Sequence, residues 1–296
     1  MNIDELARKA NPFGKTINEL RLLDEEKPAG PYIIREVKAS DFEAMVYEPV
    51  LCLILQGSKE ITIGGRTIWA DKGDLMIVSH DVPVSTRIAN ASSAEPYMAL
   101  VMTADLDIIR SLNAQMGDLI QSTSSGFSLD SSRADDDLLD VLGRYLDLMT
   151  KPQEREVLEP LILREIHFRV LMAPNGKMLR QFLSRDSHAS RISKAITHMR
   201  SNFTKAESVA QLSRLVGMSQ SSFHEHFKAI TGTTPLQYQK DLRLIEAQQL
   251  LLGGAASVSN VAYSVGYESI TQFSREFARK FGASPRVIMK AAVADA

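Results

Sequence analysis

One stretch of this chain occurs twice, and the repeat limits what the chain can fold into more than any other feature. Residues 209–235, VAQLSRLVGMSQSSFHEHFKAITGTTP, are answered by residues 258–285, VSNVAYSVGYESITQFSREFARKFGASP. Gly217 and Gly266 stand 49 residues apart, whereas Phe223/Phe273, Phe227/Phe277, Gly232/Gly282 and Pro235/Pro285 stand 50 apart, so the copies differ by one residue in the turn. Each copy reads as an apolar-periodic helix, a glycine turn, a second helix and a Gly-x-x-Pro stop. That order is the sequence form of a helix-turn-helix.

In the first copy Val209, Leu212 and Leu215 are expected to bury one face of a support helix, Gly217 to make the turn and Ser219 to cap the next helix. Phe223, Phe227 and Ile230, spaced four and three apart, face the core, which leaves Ser221, His224, Glu225 and Lys228 outward, on the face that would enter a major groove. The second copy sets Phe273, Phe277 and Phe281 inward and Ile270, Thr271, Gln272, Arg275 and Arg279 outward. Gln can bond adenine N6/N7, Arg can bond guanine O6/N7, and Ile or Thr can pack on a thymine methyl. Glu225 is the odd member, since phosphates repel a carboxylate; it either accepts from a cytosine amino group or pairs with a basic neighbour. Between the copies, Pro235 opens a helix that continues with Leu242, Ile245, Leu250 and Leu251 until Gly253-Gly254 stops it. One rigid helix would hold the two units for successive major-groove segments, about 34 Å apart. The competing account is an all-helical interaction domain in which the repeat serves packing alone.

The charge divides in the same place. Residues 185–296 carry 14 Lys+Arg against 8 Asp+Glu, a net of +6, and the remainder carries 20 against 28, a net of −8, giving the overall −2. A basic third on an acidic body suits a DNA-contacting domain joined to a different module, although a chance split of solvated faces would look the same. At 296 residues there is room for two cores. No apolar run reaches the roughly 18 residues of a membrane span and the N-terminus lacks a signal-peptide pattern, so a cytoplasmic protein is expected. The single cysteine, Cys52, excludes an internal disulfide and any Cys-based zinc cluster.

Residues 1–30 read as a marginal helix within 16–23, then the charged run Asp24-Glu25-Glu26-Lys27 and a linker through Pro28-Ala29-Gly30-Pro31. From 32 to 102 the pattern is of short strands, at 32–37, 44–48, 51–56, 60–63, 67–70, 75–79, 84–88 and 97–102, with Gly64-Gly65 suited to a hairpin turn. Many short strands favour a sandwich or barrel that can hold one ligand inside. A cupin-type metal site needs several histidines and a carboxylate, and this region has only His80, so no metal and no cofactor are expected. Tyr47, Cys52, Trp69, Met76 and His80 are the candidate effector-pocket residues. For Cys52 the alternatives are a small buried hydrophobe and a reactive sensor thiol, which would need a lowered pKa and access. Residues 104–184 read as helical: Leu106, Ile109, Leu112 and Met116 mark one helix, Leu138 to Met149 a second that ends at Pro152, and 158–172 a third, with 121–137 a Ser/Asp-rich loop. The long pair suggests a dimer interface or a cover for the barrel. The polar segment 185–190 marks the boundary, and Ile192, Ala195, Ile196 and Met199 form one face of the first helix beyond it.

The run Gly266-Tyr267-Glu268-Ser269, then Gln272 to Phe277, then Phe281-Gly282-Ala283-Ser284-Pro285 resembles the signature of AraC/XylS-type transcription regulators, and Leu242 to Ala247 resembles their linker helix. Upstream, Tyr47-Glu48-Pro49, Leu55-Gln56-Gly57, Ser79 to Val84 and Leu163-Arg164-Glu165-Ile166 are similar to the AraC-type N-terminal domain. The resemblance implies a cupin-like sensor barrel and base contacts at Ser221, His224, Glu225, Ile270, Thr271, Gln272 and Arg275. Many members carry a bulky or basic residue where this chain has Ser221 and Glu225, which sets the first unit apart.

The expected architecture is therefore α+β in two domains. Residues 1–184 form a sensor and dimerisation domain, with a cupin-like β-barrel at about 31–103 and a helical hairpin within 104–184. Residues 185–296 form an all-α DNA-binding domain with helix-turn-helix units at about 208–230 and 257–280. The expected function is that of a bacterial, sequence-specific transcription regulator, not an enzyme, controlled by a small-molecule effector. Its partners would be double-stranded promoter DNA, RNA polymerase and a second copy of itself. The rival is a cupin-type metalloenzyme fused to a DNA-binding domain.

Overall fold

The computed structural model describes residues 1–21, 30–116, 127–183, 187–254 and 257–294, and for 21, 182, 183 and 291–294 the backbone alone. The charged run at 24–27, Pro28 and Ala29 of the expected linker, residues 121–126 of the expected loop, and Arg185 and Asp186 of the boundary segment lie outside the described residues. The rest is an α+β chain with a strand-rich first part and a helical second part.

All eight expected strands form: β2 (Tyr32–Glu36), β3 (Glu43–Tyr47), β4 (Val50–Gln56), β5 (Ser58–Ile63), β6 (Arg66–Asp71), β7 (Asp74–Val78), β8 (Val82–Asn90) and β9 (Tyr97–Thr103). With β1 (Gly14–Lys15) and β10 (Leu129–Arg133) they make two facing sheets, ordered β1-β2-β9-β4-β7-β10 and β3-β8-β5-β6. The period of two explains how the sheets stack. Along β4, Leu51, Leu53 and Leu55 join an outer core under helices, while Cys52 and Ile54 join the interior between the sheets. β7 divides in the same way, Leu75 and Ile77 outward and Met76 and Val78 inward. The first sheet is thus buried on both faces, and the β5–β6 hairpin of the second keeps a wet outer face.

Three elements correct the sequence reading here. The N-terminus forms α1 (Ile3–Ala10), closed by a capping box in which the Asn2 side chain accepts from the Glu5 N–H and the Glu5 carboxylate accepts from the Asn2 N–H. Leu6, Ala7 and Ala10 of α1 pack into the outer core; the marginal helix appears only as α2 (Ile17–Arg21). β10 replaces part of the expected Ser/Asp loop. It pairs antiparallel with β7 from Leu129↔Val78 to Arg133↔Asp74, and the buried Asn175 Nδ2 donates to the Leu75 carbonyl at 2.8 Å beneath it.

The helical cover is α3 (Leu106–Met116), α4 (Asp136–Met149), α5 (Pro152–Met172) and α6 (Lys177–Leu183). α5 starts six residues earlier than Leu158, because Pro152 sits in the first helical turn, where a missing N–H costs nothing. α4 and α5 form the expected helical hairpin; α6 was not expected.

The second part contains α7 (His188–Ser201), α8 (Val209–Leu215), α9 (Gln220–Thr231), α10 (Pro235–Leu252), α11 (Val258–Ser264), α12 (Ile270–Phe281) and α13 (Pro285–Ala294). It has two cores that share α10. Tyr238 and Leu242 close the first with Phe223 and Phe227; Leu244, Ala247 and Leu251 close the second with Phe273 and Phe277. Those four phenylalanines are fully buried, each stabilising by roughly 1.5–3 kcal/mol. Leu215, expected inside, is 53% exposed. α8 ends there, and Val216 takes the core position instead.

The two parts touch over named residues. The Arg200 guanidinium donates to Glu48 Oε1 at 2.5 Å and to Asp81 Oδ1 at 2.6 Å. Tyr238 Oη donates to the Asp81 carbonyl at 2.7 Å, and the Ser128 N–H donates to the Ile230 carbonyl at 2.9 Å. At the hairpin tip, a Cβ on Gly64 would lie 2.3 Å from the Gly232 carbonyl oxygen.

Candidate nucleic-acid interface and effector cavity

Each helix-turn-helix is built by the same local devices. Gly217 (φ 65°) and Gly266 (φ 86°) occupy the left-handed region in the turn, where a Cβ would be strained. Past each glycine the chain bonds back to the support helix, Met218 N–H to the Ser213 carbonyl at 2.9 Å and Tyr267 N–H to the Ala262 carbonyl at 3.0 Å. Ser219 then caps α9 through the Ser222 N–H, and Ser269 caps α12 through the Gln272 N–H. The repeat legible in the residues is a repeat in hydrogen bonds.

On α9 the side chains of Ser221, His224, Glu225 and Lys228 are all exposed. Glu225 forms no ion pair with Lys or Arg among the described residues, and its charge acts on the neighbouring His226. On α12, Thr271, Gln272, Arg275 and Arg279 are exposed, while Ile270 is partly buried against the second core rather than turned fully outward. Gln272 Nε2 donates to Glu276 Oε1 at 3.2 Å. That carboxylate also accepts from Lys240 Nζ at 2.7 Å and from Tyr267 Oη at 2.8 Å. Burial works against the Glu276 charge, but Lys240, Tyr267 and Gln272 outweigh it and hold the group below its ordinary value. Lys280 bonds Asp241 at 2.6 Å one turn further along. Glu276 and Lys280 therefore fasten α12 to α10. Sequence reasoning passed over both; the i, i+4 spacing of Gln272 and Glu276 was the available signal.

In the first part, Tyr47, Cys52 and Met76 come together on the interior face, with Cys52 directly opposite Met76 in register. Cys52 is buried, and burial pushes its thiol up. Trp69 does not join them. It stands on the outer face of β6, opposite Glu60 and 48% exposed, because it is one residue out of phase with the inward Ala70. His80 lies in the β7–β8 loop, not in the barrel; it is buried, with Nδ1 2.7 Å from Ser79 Oγ and a hydrogen bond to the Ala189 backbone of the helical part. Burial lowers its pKa to about 4. Between β3 and α10 runs a cleft of about 750 Å³, walled by Tyr32, Met45, Tyr47, Arg200, Phe203 and Ile245 among others. Among the described residues no group of three or more His, Cys, Asp or Glu is placed to hold a metal ion, and no helix is long and apolar enough to cross a membrane.

Two family models match this chain: the AraC-type transcriptional regulator N-terminus over residues 30–178 and a helix-turn-helix domain over residues 212–291. The chain belongs to the AraC-type transcriptional regulators. Among curated relatives, the transcriptional activator RhaS of Escherichia fergusonii is 33% identical over 126 residues, which is 42% of this chain and 45% of RhaS. The thermoregulatory protein LcrF of Yersinia pestis is 22% identical over 244 residues, 79% of this chain and 86% of LcrF. The matched stretch spans about half the length of the RhaS proteins. Among solved structures, ToxT from Vibrio cholerae shares the fold, with a TM-score of 0.53 at 15% identity over 88% of this chain and 98% of ToxT.

Proposed function

We propose that this protein is a sequence-specific DNA-binding regulator of transcription, with α9 and α12 as its base-reading helices and the strand-rich part as the sensor of a small molecule. The observation that carries the reading is the duplicated helix-turn-helix: two polar helix faces, capped alike and fastened to one shared helix. α10 has 18 residues and so is roughly 27 Å long, the scale needed to hold two readers one turn of DNA apart. In this reading Gln272, Arg275 and Thr271 read bases from α12, His224 and Ser221 read them from α9, Glu225 tunes the first unit, and Lys228 and Arg279 add attraction to the phosphates. Ile270 has the smaller role of packing that helix. The domains divide near residue 185, the protein works in the cytoplasm without enzymatic activity, and promoter-bound protein acts on RNA polymerase.

The interior around Tyr47, Cys52 and Met76 is the effector site, and the interdomain contacts at Glu48, Asp81 and His80 are how its state reaches the readers. A second copy pairs along α5, where Val157 and Leu161, four residues apart, are 69% and 62% exposed. The test is to capture and sequence the genomic fragments that the purified full chain binds. Enrichment of one motif supports the reading; retention of random DNA equally well at matched salt contradicts it.

A further inference from the structure

Gln272 is exposed on α12, yet the fold holds both its backbone and its side chain. Its N–H donates to Ser269 Oγ at 3.3 Å at the helix start, and its Nε2 donates to Glu276 Oε1 at 3.2 Å, one turn along the same helix. That carboxylate is anchored from two other directions. Lys240 Nζ on α10 donates to Oε1 at 2.7 Å, and Tyr267 Oη in the turn donates to Oε2 at 2.8 Å. The Glu276 side chain is only 11% exposed, and Tyr267 packs its ring edge-on to Phe273 of the second core, with centroids 5.3 Å apart. One carboxylate thus ties an exposed amide to the packed part of the domain.

The chemistry of Glu276 decides which way the amide points. An ionised carboxylate accepts and cannot donate, so only the NH2 end of Gln272 can meet it, and the Gln272 oxygen is turned away. The amide nitrogen carries two hydrogens. One satisfies Glu276; the other, with the oxygen, is left for a partner outside the protein. A donor beside an acceptor is what the N7 and N6 amino group of adenine require. A free glutamine loses rotamer freedom when it meets a base, and one already held loses less.

The first unit has no such device. At the 50-residue spacing of the phenylalanines, Ser222 stands where the second unit has Gln272, and His226 where it has Glu276. The His226 ring stacks on that of His188, with centroids 3.9 Å apart. We propose that Glu276 is a positioning residue for base recognition: it holds Gln272 so that the amide presents its oxygen and one N–H to an adenine in the major groove, with Lys240 and Tyr267 holding Glu276 in turn. This rests on the reading of α12 as a base-reading helix and adds the base it reads and the residue that sets the preference.

The experiment titrates the full chain, by anisotropy at fixed salt, against the genomic fragment it selects and against copies with each base pair of the site replaced in turn. Gln272→Ala should lose about tenfold in discrimination at one A·T pair. Glu276→Ala should lose discrimination at the same pair, and the double variant should lose no more than Gln272→Ala alone, because the two act through one contact. Lys280→Met breaks the other tie of α12 to α10, the 2.6 Å pair with Asp241, and should leave base preference unchanged. Glu276→Gln keeps the volume and an acceptor, should show a smaller loss at that pair, and guards against an alanine variant that merely fails to fold. Losses that multiply in the double variant, an unchanged preference in the folded Glu276 variants, or the same relaxation in Lys280→Met would overturn the proposal while leaving α12 a base reader. So would a loss centred on a G·C pair, or tighter specific binding by Glu276→Ala, the mark of a carboxylate that withholds Gln272 from the groove. No change at any base pair in Gln272→Ala would overturn both the proposal and the assignment of Gln272 as a reader.

Discussion

Arg275 is the residue on which the base-reading account can be tested most simply. It is exposed on α12 and has no ion-pair partner among the described residues, so its truncation should leave the fold alone. Arg275→Ala should weaken binding to the selected site by roughly 1–3 kcal/mol with little change on random DNA. Equal losses on both, in an anisotropy titration at fixed salt, would make it a phosphate contact instead. His80 gives a pH prediction of definite sign. Its folded pKa of about 4 lies below the ordinary 6.5, so the neutral form belongs to the folded state. Its contribution is complete above about pH 6.5 and is lost as pH falls toward 4, on the order of 3 kcal/mol in all. Ser79 and the Ala189 backbone bond it, and Asp81 with its partner Arg200 stands beside it. Carboxylates such as Glu276 lose stability in the same acid range, so the readout is a difference: His80→Gln should show a flatter fall in denaturant midpoint between pH 6.5 and 4 than the parent protein.

At the scale of elements, the β5–β6 hairpin and the C-terminal end of α9 meet backbone to backbone. Gly64 is at φ 55°, and a Cβ there would collide with the Gly232 carbonyl. Gly64→Ala should therefore cost about 1–3 kcal/mol in an unfolding titration; a variant as stable as the parent would show that the hairpin does not dock on α9. Gly64 and Gly65 were legible as a turn, but nothing in their spacing from Gly232 announces that the two meet, because that contact joins residues far apart in the chain. The same limit governs the rest. The repeat of Phe223/Phe273 and Phe227/Phe277 revealed both helix-turn-helix units, since periodicity and turn chemistry are local. β10 was hidden because Asp130, Ser131 and Ser132 have no strand pattern of their own and are held by β7. Trp69 was assigned to the pocket by residue type, and its phase on β6 excluded it.

As a whole, the molecule has two parts joined through a small set of polar contacts. Arg200 bridges Glu48 and Asp81, and Tyr238 bonds Asp81 from inside the first helical core. Arg200→Ala should leave each part folded and raise amide exchange at β3 and along the first half of α10. Unchanged exchange would mean that the bridge does not hold the parts together. The duplicated reader remains the central claim, and a hydroxyl-radical footprint of the full chain on its selected DNA fragment tests it most directly. Two protected windows on one face of the duplex, about 10 base pairs centre to centre, are the predicted result. A single window, or uniform protection along the fragment, would contradict it.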